Sequence, residues 1–238
     1  MSIRKMMSIL AFLLAVGITT ALVGGLSQAA RASGDGATLY VDGKTGNDSY
    51  NCSISNPCKT LSYAVSQGAS GDTIYLADTI TETGQLVINK NLTIQQWQGK
   101  ETARLLKNDD TGDYGAARCW ICLTNNAQVT IEGIAFSAAS GKKVMEAIRV
   151  NAGTTLTLSN TVFENFFYTD PYGDMLGIRR GYAVYVAGGV LTVEGSEFKQ
   201  FGRSAILACG GQVSVQGSKF VGDGNADELV NYCLLYTS

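Results

Sequence analysis

The sequence predicts an all-β solenoid, a parallel β-helix in which short strands stack coil upon coil. Three observations carry this. One motif recurs four times, its strands alternate apolar and polar residues, and the composition suits many tight turns. The first copy is Ile121-Cys-Leu123, then Val129-Thr-Ile131, Gly133 and Phe136. The second is Ile148-Arg-Val150, Leu156-Thr-Leu158, Asn160 and Phe163. The third is Val184-Tyr-Val186, Leu191-Thr-Val193, Gly195 and Phe198, and the fourth Ile206-Leu-Ala208, Val213-Ser-Val215, Gly217 and Phe220. Each Gly or Asn lies two residues after the second strand and each Phe five after it. Self-similarity of this kind marks stacked repeats, so function belongs to a stacked surface rather than one closed pocket.

The strands come first. Val-Thr-Ile, Leu-Thr-Leu, Leu-Thr-Val and Val-Ser-Val alternate with period two, which turns one face inward and one outward. Strands this short form no stable hairpin alone, whereas stacking gives them a shared interior. Val129, Leu156, Leu191 and Val213 then make one interior column. Ile131, Leu158, Val193 and Val215 make a second, and Phe136, Phe163, Phe198 and Phe220 a third. The Gly or Asn after each strand suits a left-handed backbone position. Leu191 to Val213 spans 22 residues, the bare coil, while Val129 to Leu156 spans 27 and Leu156 to Leu191 spans 35. The excess is expected to bulge out as loops. Leu92-Thr-Ile94 reads as an earlier copy.

The ends follow. Residues 1–32 read as an export signal: Arg4 and Lys5 open it, an apolar run spans 9–26, and Ala30-Arg31-Ala32 is a small-x-small cleavage site. Its length leaves an uncleaved single-span anchor as the alternative. Residues 33–72 should hold a strand, a disulfide loop and a capping helix. Leu61, Ala64 and Val65 have helical spacing, and Gly68 and Gly71 supply a stop. A helix there would cover the open end of the stack, which otherwise exposes apolar cross-section and strand edges. The coils occupy 73–222. Segment 223–238 reads as an incomplete or non-native tail of a longer protein.

Composition narrows the function. The chain is Gly-rich with 28, Pro-poor with 2, and only 16% charged, which argues against disorder. A net charge of −2 with no basic stripe argues against a nucleic-acid partner. The absence of His excludes Ser-His-Asp and Cys-His catalysis within the chain. Membrane contact is expected only through the signal or anchor segment. Export permits disulfides. Cys52 and Cys58 bracket a five-residue loop and are expected to pair. Cys119 and Cys122 have redox or zinc spacing, but no second pair and no His completes a zinc site. A strand over 120–123 would set their side chains on opposite faces. They read as structural thiols, or as partners of Cys209 or Cys233.

Tyr40-Val-Asp-Gly-Lys-Thr-Gly-Asn-Asp48, Asn56-Pro-Cys-Lys-Thr-Leu61, Gly71-Asp-Thr-Ile-Tyr-Leu76 and Val87-Ile-Asn-Lys-Asn-Leu-Thr-Ile94 resemble the opening of right-handed parallel β-helix proteins of the pectin-lyase-like superfamily. The segment from Gly181 to Phe198 resembles the repeats of polymorphic outer-membrane and adhesin-type proteins in that group. The resemblance covers roughly residues 38–222. It implies a right-handed coil and a choice among lyases, hydrolases, esterases and adhesins. In the superfamily's polysaccharide lyases an Arg serves as base and Asp residues hold calcium; no motif places those roles on residues here. Calcium is therefore expected only if the chain is lyase-like, and no other cofactor is expected.

The candidate site is the longest excess, Phe167 to Tyr182. Tyr168, Tyr172 and Tyr182 offer faces for sugar rings, and Asp170, Asp174, Arg179 and Arg180 offer charge for a polysaccharide or cell-surface glycan. The alternative is a loop packed on itself. No catalytic or metal-binding residue is assigned. Asn108, Asp109, Asp110 and Asp113 cluster as a cation site would, or as an ordinary solvated turn. Thr93, Thr130, Thr157, Thr192 and Ser214 should stack outward in one line, but the flanking Gln128, Thr155, Val190 and Gln212 are too irregular for an ice-binding array. Two readings result: a non-catalytic secreted or surface-bound binding module, and a polysaccharide lyase or glycoside hydrolase whose active site is completed by further C-terminal coils.

Overall fold

The computed structural model describes residues 36–112, 115–167, 181–202 and 204–222; segments 1–35 and 223–238 lie outside them. Eighteen strands and one α-helix are present among these residues. The strands form three parallel sheets visited in rotation. Sheet I contains β1 (Thr38–Asp42), β2 (Asp72–Ala77), β5 (Leu92–Gln96), β8 (Gln128–Glu132), β11 (Thr155–Ser159), β14 (Val190–Glu194) and β17 (Gln212–Gln216). Sheet II contains β3 (Thr79–Glu82), β6 (Arg104–Lys107), β9 (Ala135–Ala138), β12 (Val162–Phe166), β15 (Glu197–Phe201) and β18 (Lys219–Val221). Sheet III contains β4 (Leu86–Ile88), β7 (Cys119–Leu123), β10 (Glu146–Asn151), β13 (Tyr182–Ala187) and β16 (Ser204–Ala208). Each coil runs from III to I to II, which is a parallel β-helix.

The expected columns are in register. Val129, Leu156, Leu191 and Val213 are successive partners, as are Ile131, Leu158, Val193 and Val215. The four Phe rings stack nearly parallel, with centroid spacings of 4.6, 5.2 and 4.9 Å from Phe136 to Phe220. These spacings match the step between strands, so the coil height itself stacks the rings. Gly133, Asn160, Gly195 and Gly217 all have positive φ, between 51° and 68°. They make the two-residue turns from sheet I to sheet II, and a Cβ on Gly195 would lie 2.8 Å from the Asn160 amide oxygen. Asn is tolerated at this φ, and Gly is free of the clash.

The excess lengths of the later coils collect at one corner. Turns from I to II are 133–134, 160–161, 195–196 and 217–218, preceded by the single residue 78 and the longer 97–103. Turns from II to III are 108–118, 139–145, 167–181 and 202–203. The corner between sheets II and III therefore absorbs the extra residues of the 27- and 35-residue repeats.

Helix α1 (Leu61–Gln67) caps the first coil. Thr60 is its N-cap, its hydroxyl accepting from the Tyr63 amide, and Leu61, Ala64 and Val65 enter the common core. Asp48 accepts from the Lys59 and Thr60 amides at 2.7 and 3.0 Å. Lys90 donates to the carbonyls of Val65 and Gly68, closing the C-terminal turn. The Cys52–Cys58 disulfide forms as expected beside this cap.

Glu82 of β3 is buried and accepts from the Leu61 amide at 2.6 Å and from the Ser62 hydroxyl. Burial pushes its carboxyl above the ordinary glutamate value, against hydrogen bonds that favour the charged form. The native state thus keeps a proton at a pH where the unfolded chain has released it. The Glu82 contribution to stability is full below the unfolded pKa and is lost as pH rises through the raised native value. Glu82→Gln keeps an acceptor for Leu61 and should abolish this slope. Melting temperatures of the two proteins, compared across mildly acidic pH, should diverge upward in favour of Gln; parallel curves would refute the assignment.

Candidate functional site

Of the seven residues singled out in the long loop, Tyr168, Asp170, Tyr172, Asp174, Arg179 and Arg180 lie outside the described residues. The stems of that loop are placed: the Val144 amide donates to the Phe167 carbonyl, and the Tyr182 amide to the Met145 carbonyl. The loop therefore leaves the corner between sheets II and III, beside turns 108–118 and 139–145. Tyr182 itself is buried and packs on Met145 and Leu207. The acidic turn is held by protein groups. Asp109 bonds to the buried Lys107 ammonium at 2.5 Å and accepts from the Gly84 amide at 2.9 Å; Asp110 accepts from the Lys143 amide. Burial alone would raise the Asp109 pKa, but these donors outweigh it and lower it. No metal-binding cluster occurs among the described residues.

Next to this corner, the outer face of sheet III has a geometry that sequence reasoning missed. In a regular strand, residues three apart face opposite ways. Here the ladder skips one rung on each strand of sheet III from β7 to β16. Pairing passes from Glu146 to Ile148, and from Tyr182 to Val184, on both sides. The skipped residues Trp120, Ala147, Ala183 and Ala205 all enter the core. The kink turns the residue before each of them outward, onto the face of the residue two after it.

Each coil fills the resulting slot differently. Cys119 and Cys122 are joined in a disulfide, with Cα atoms 5.8 Å apart. This corrects the expectation that strand geometry would part them. On the next coil Glu146 holds Arg149 with two hydrogen bonds, at 2.6 and 2.8 Å. On the third coil Tyr182 and Tyr185 lie 6.2 Å apart. Cys209 is exposed and free, so it is not the partner of Cys119 or Cys122.

Glu146 is the centre of this surface. Its side chain is 0% exposed, and Arg118 approaches it from turn 108–118 with Nε 3.4 Å from the carboxylate. The Arg118 Nε is buried and has no hydrogen-bond partner among the described residues. The Arg149 guanidinium lies over the Tyr185 ring, 4.9 Å from its centroid. Its pKa is raised, first by the bond to Glu146. The Tyr185 phenol is pushed up, first by Cys209 and then by burial. Two guanidinium groups against one carboxylate leave the face locally cationic, with an aromatic ring beside them.

No protein-family model matches the chain, and comparison with curated proteins finds no relative. Among solved structures the chain is similar to a rhamnogalacturonan lyase, at 14% identity and a TM-score of 0.45. The likeness covers 78% of this chain and 50% of that one, so the chain spans about half the length of the enzyme. The assignment of the fold rests on the strand pairing described above.

Proposed function

We propose that the chain is an exported β-helix module that binds glycans or other cell-surface material without transforming it. The observation that supports this reading is the cationic, aromatic face around Arg118, Arg149 and Tyr185, at the foot of the corner that carries the long loop. Guanidinium groups pair with carboxylates, and tyrosine rings stack on sugar faces, so the fitting ligand is an acidic polysaccharide. Arg149 is committed to Glu146, while the Arg118 side chain is 30% exposed, which leaves the outer part of its guanidinium open to a ligand. Arg118→Ala should weaken retention by polygalacturonate in affinity electrophoresis by about tenfold, the loss of one charge-assisted contact. No retention of the unaltered chain by any acidic glycan would sink the proposal.

A second reading has one specific observation in its favour. The same outer face carries arginine, the residue that serves as base in the polysaccharide lyases the sequence resembles. Incubation with acidic polysaccharides, with and without calcium, separates the two. Growth of unsaturated-uronate absorbance would replace the binding reading with the lyase one.

A further inference from the structure

The outer face of sheet I offers a second surface of opposite character. Its middle column is a ladder of hydroxyls on seven adjacent strands: Thr38, Thr73, Thr93, Thr130, Thr157, Thr192 and Ser214 are successive register partners. The neighbouring outward column runs Tyr40, Tyr75, Gln95, Glu132, Ser159, Glu194 and Gln216. Turn 97–103 is longer than the two-residue turns that follow it at this corner, so it stands out as a ledge. On one side of the ledge Trp97 packs on Tyr40, which stacks on Tyr75, and Lys100 covers the Trp97 ring. On the other side is a concavity of about 290 Å³ lined by Gln95, Gln96, Gln98, Glu132, Gly133 and Asn160.

The chemistry of the concavity is specific. Gln96 is committed to the ledge: its amide donates to the Trp97 and Glu101 carbonyls and accepts from the Ala103 amide at 2.5 Å. That fixes the wall. The floor is kept open by Gly133, where a Cβ would lie 3.2 Å from the Gln96 Cβ. The side chains of Gln95, Gln98 and Glu132 make no hydrogen bond or ion pair among the described residues, so their donors and acceptors are available to a ligand. An amide presents a donor and an acceptor side by side, the pattern that paired hydroxyls of a sugar ring match. The one ionisable group lining the concavity is acidic, and Glu194 continues that charge along the same column. A polyanion is repelled there. A neutral chain rich in hydroxyls is accepted, and the hydroxyl ladder beside the concavity offers it contacts at every strand step of about 4.8 Å.

We infer that this concavity and the adjoining ladder bind a neutral polysaccharide chain, at a site separate from the cationic face of sheet III. The inference does not depend on the function proposed above. The test is affinity electrophoresis of the whole chain in gels containing hydroxyethylcellulose, galactomannan or xyloglucan, with polygalacturonate as the acidic comparison. The expected result is retention by at least one neutral polymer. The double variant Gln95→Ala, Gln98→Ala should weaken it about tenfold or more, two hydrogen-bonding side chains each contributing severalfold. Arg118→Ala should leave neutral binding unchanged. Both altered glutamines lie on the surface, and an unchanged melting temperature verifies that the double variant is folded. Absence of retention by every neutral polymer overturns the inference. So does retention that the double variant leaves intact, or that Arg118→Ala abolishes.

Discussion

Phe163→Ala is expected to destabilise the protein by about 3–5 kcal/mol, the usual cost of emptying a fully buried aromatic position. Phe163 is 1% exposed and stacks on Phe136 at 4.6 Å and on Phe198 at 5.2 Å. Its removal therefore takes away these two stacked contacts and a tilted one with Phe166 at 6.0 Å, as well as its own burial. The neighbours cannot close the gap, because each ring is held at its own coil height by strand pairing on both sides. Phe220 is the comparison. It stacks on Phe198 alone and is only partly buried, so Phe220→Ala should cost clearly less. Urea denaturation checks both, as a fall in midpoint at constant slope. Equal losses at the two positions would refute the account.

Glu146→Ala is the second large effect, expected at about 2–4 kcal/mol. Removing one partner of a buried pair leaves the other charge without compensation. The lower part of that range is reasonable because Arg149 is 17% and Arg118 30% exposed, and both can find some water. Replacing Glu146 and Arg149 together by leucine should recover much of the loss, since well-packed apolar residues often replace a buried pair at little cost. A double-mutant cycle measured by denaturation isolates the coupling. A double variant as unstable as the sum of its parts would show that the two side chains act independently.

Much of the fold was legible because stacked repeats write the same physics several times. The Gly or Asn after each strand of sheet I could be named in advance, since one backbone angle must recur at the same turn. The Phe column followed from its fixed place in the repeat and the hydroxyl column from period-two alternation, and the helix from the spacing of Leu61, Ala64 and Val65 with a stop at Gly68 and Gly71. What escaped has an equally definite cause. The kink at Ala147, Trp120 and Ala183 breaks the alternation without leaving a distinctive residue type. Nothing in the string therefore showed that Cys119 meets Cys122, or Glu146 meets Arg149. The Tyr40, Tyr75 and Trp97 cluster was hidden because the first coils differ in length, so their partners do not align by eye. Thr38 and Thr73 were missed as members of the ladder for the same reason. The long loop was found by counting, but counting assigns its residues no positions.

The collection of most of the extra length at one corner gives the fold a hereditary grammar. Within the three sheets each residue is bound to a register partner, so a residue gained there would put its coil out of step with its neighbours. At the corner between sheets II and III a gain shifts nothing, and doubling a loop there costs only about 0.6 kcal/mol in closure entropy. Descendants of such a chain can rewrite that edge freely while the rest stays legible as one repeated line. The edge is where relatives of this protein should differ most in length, and where new binding segments can be grafted with the least disturbance.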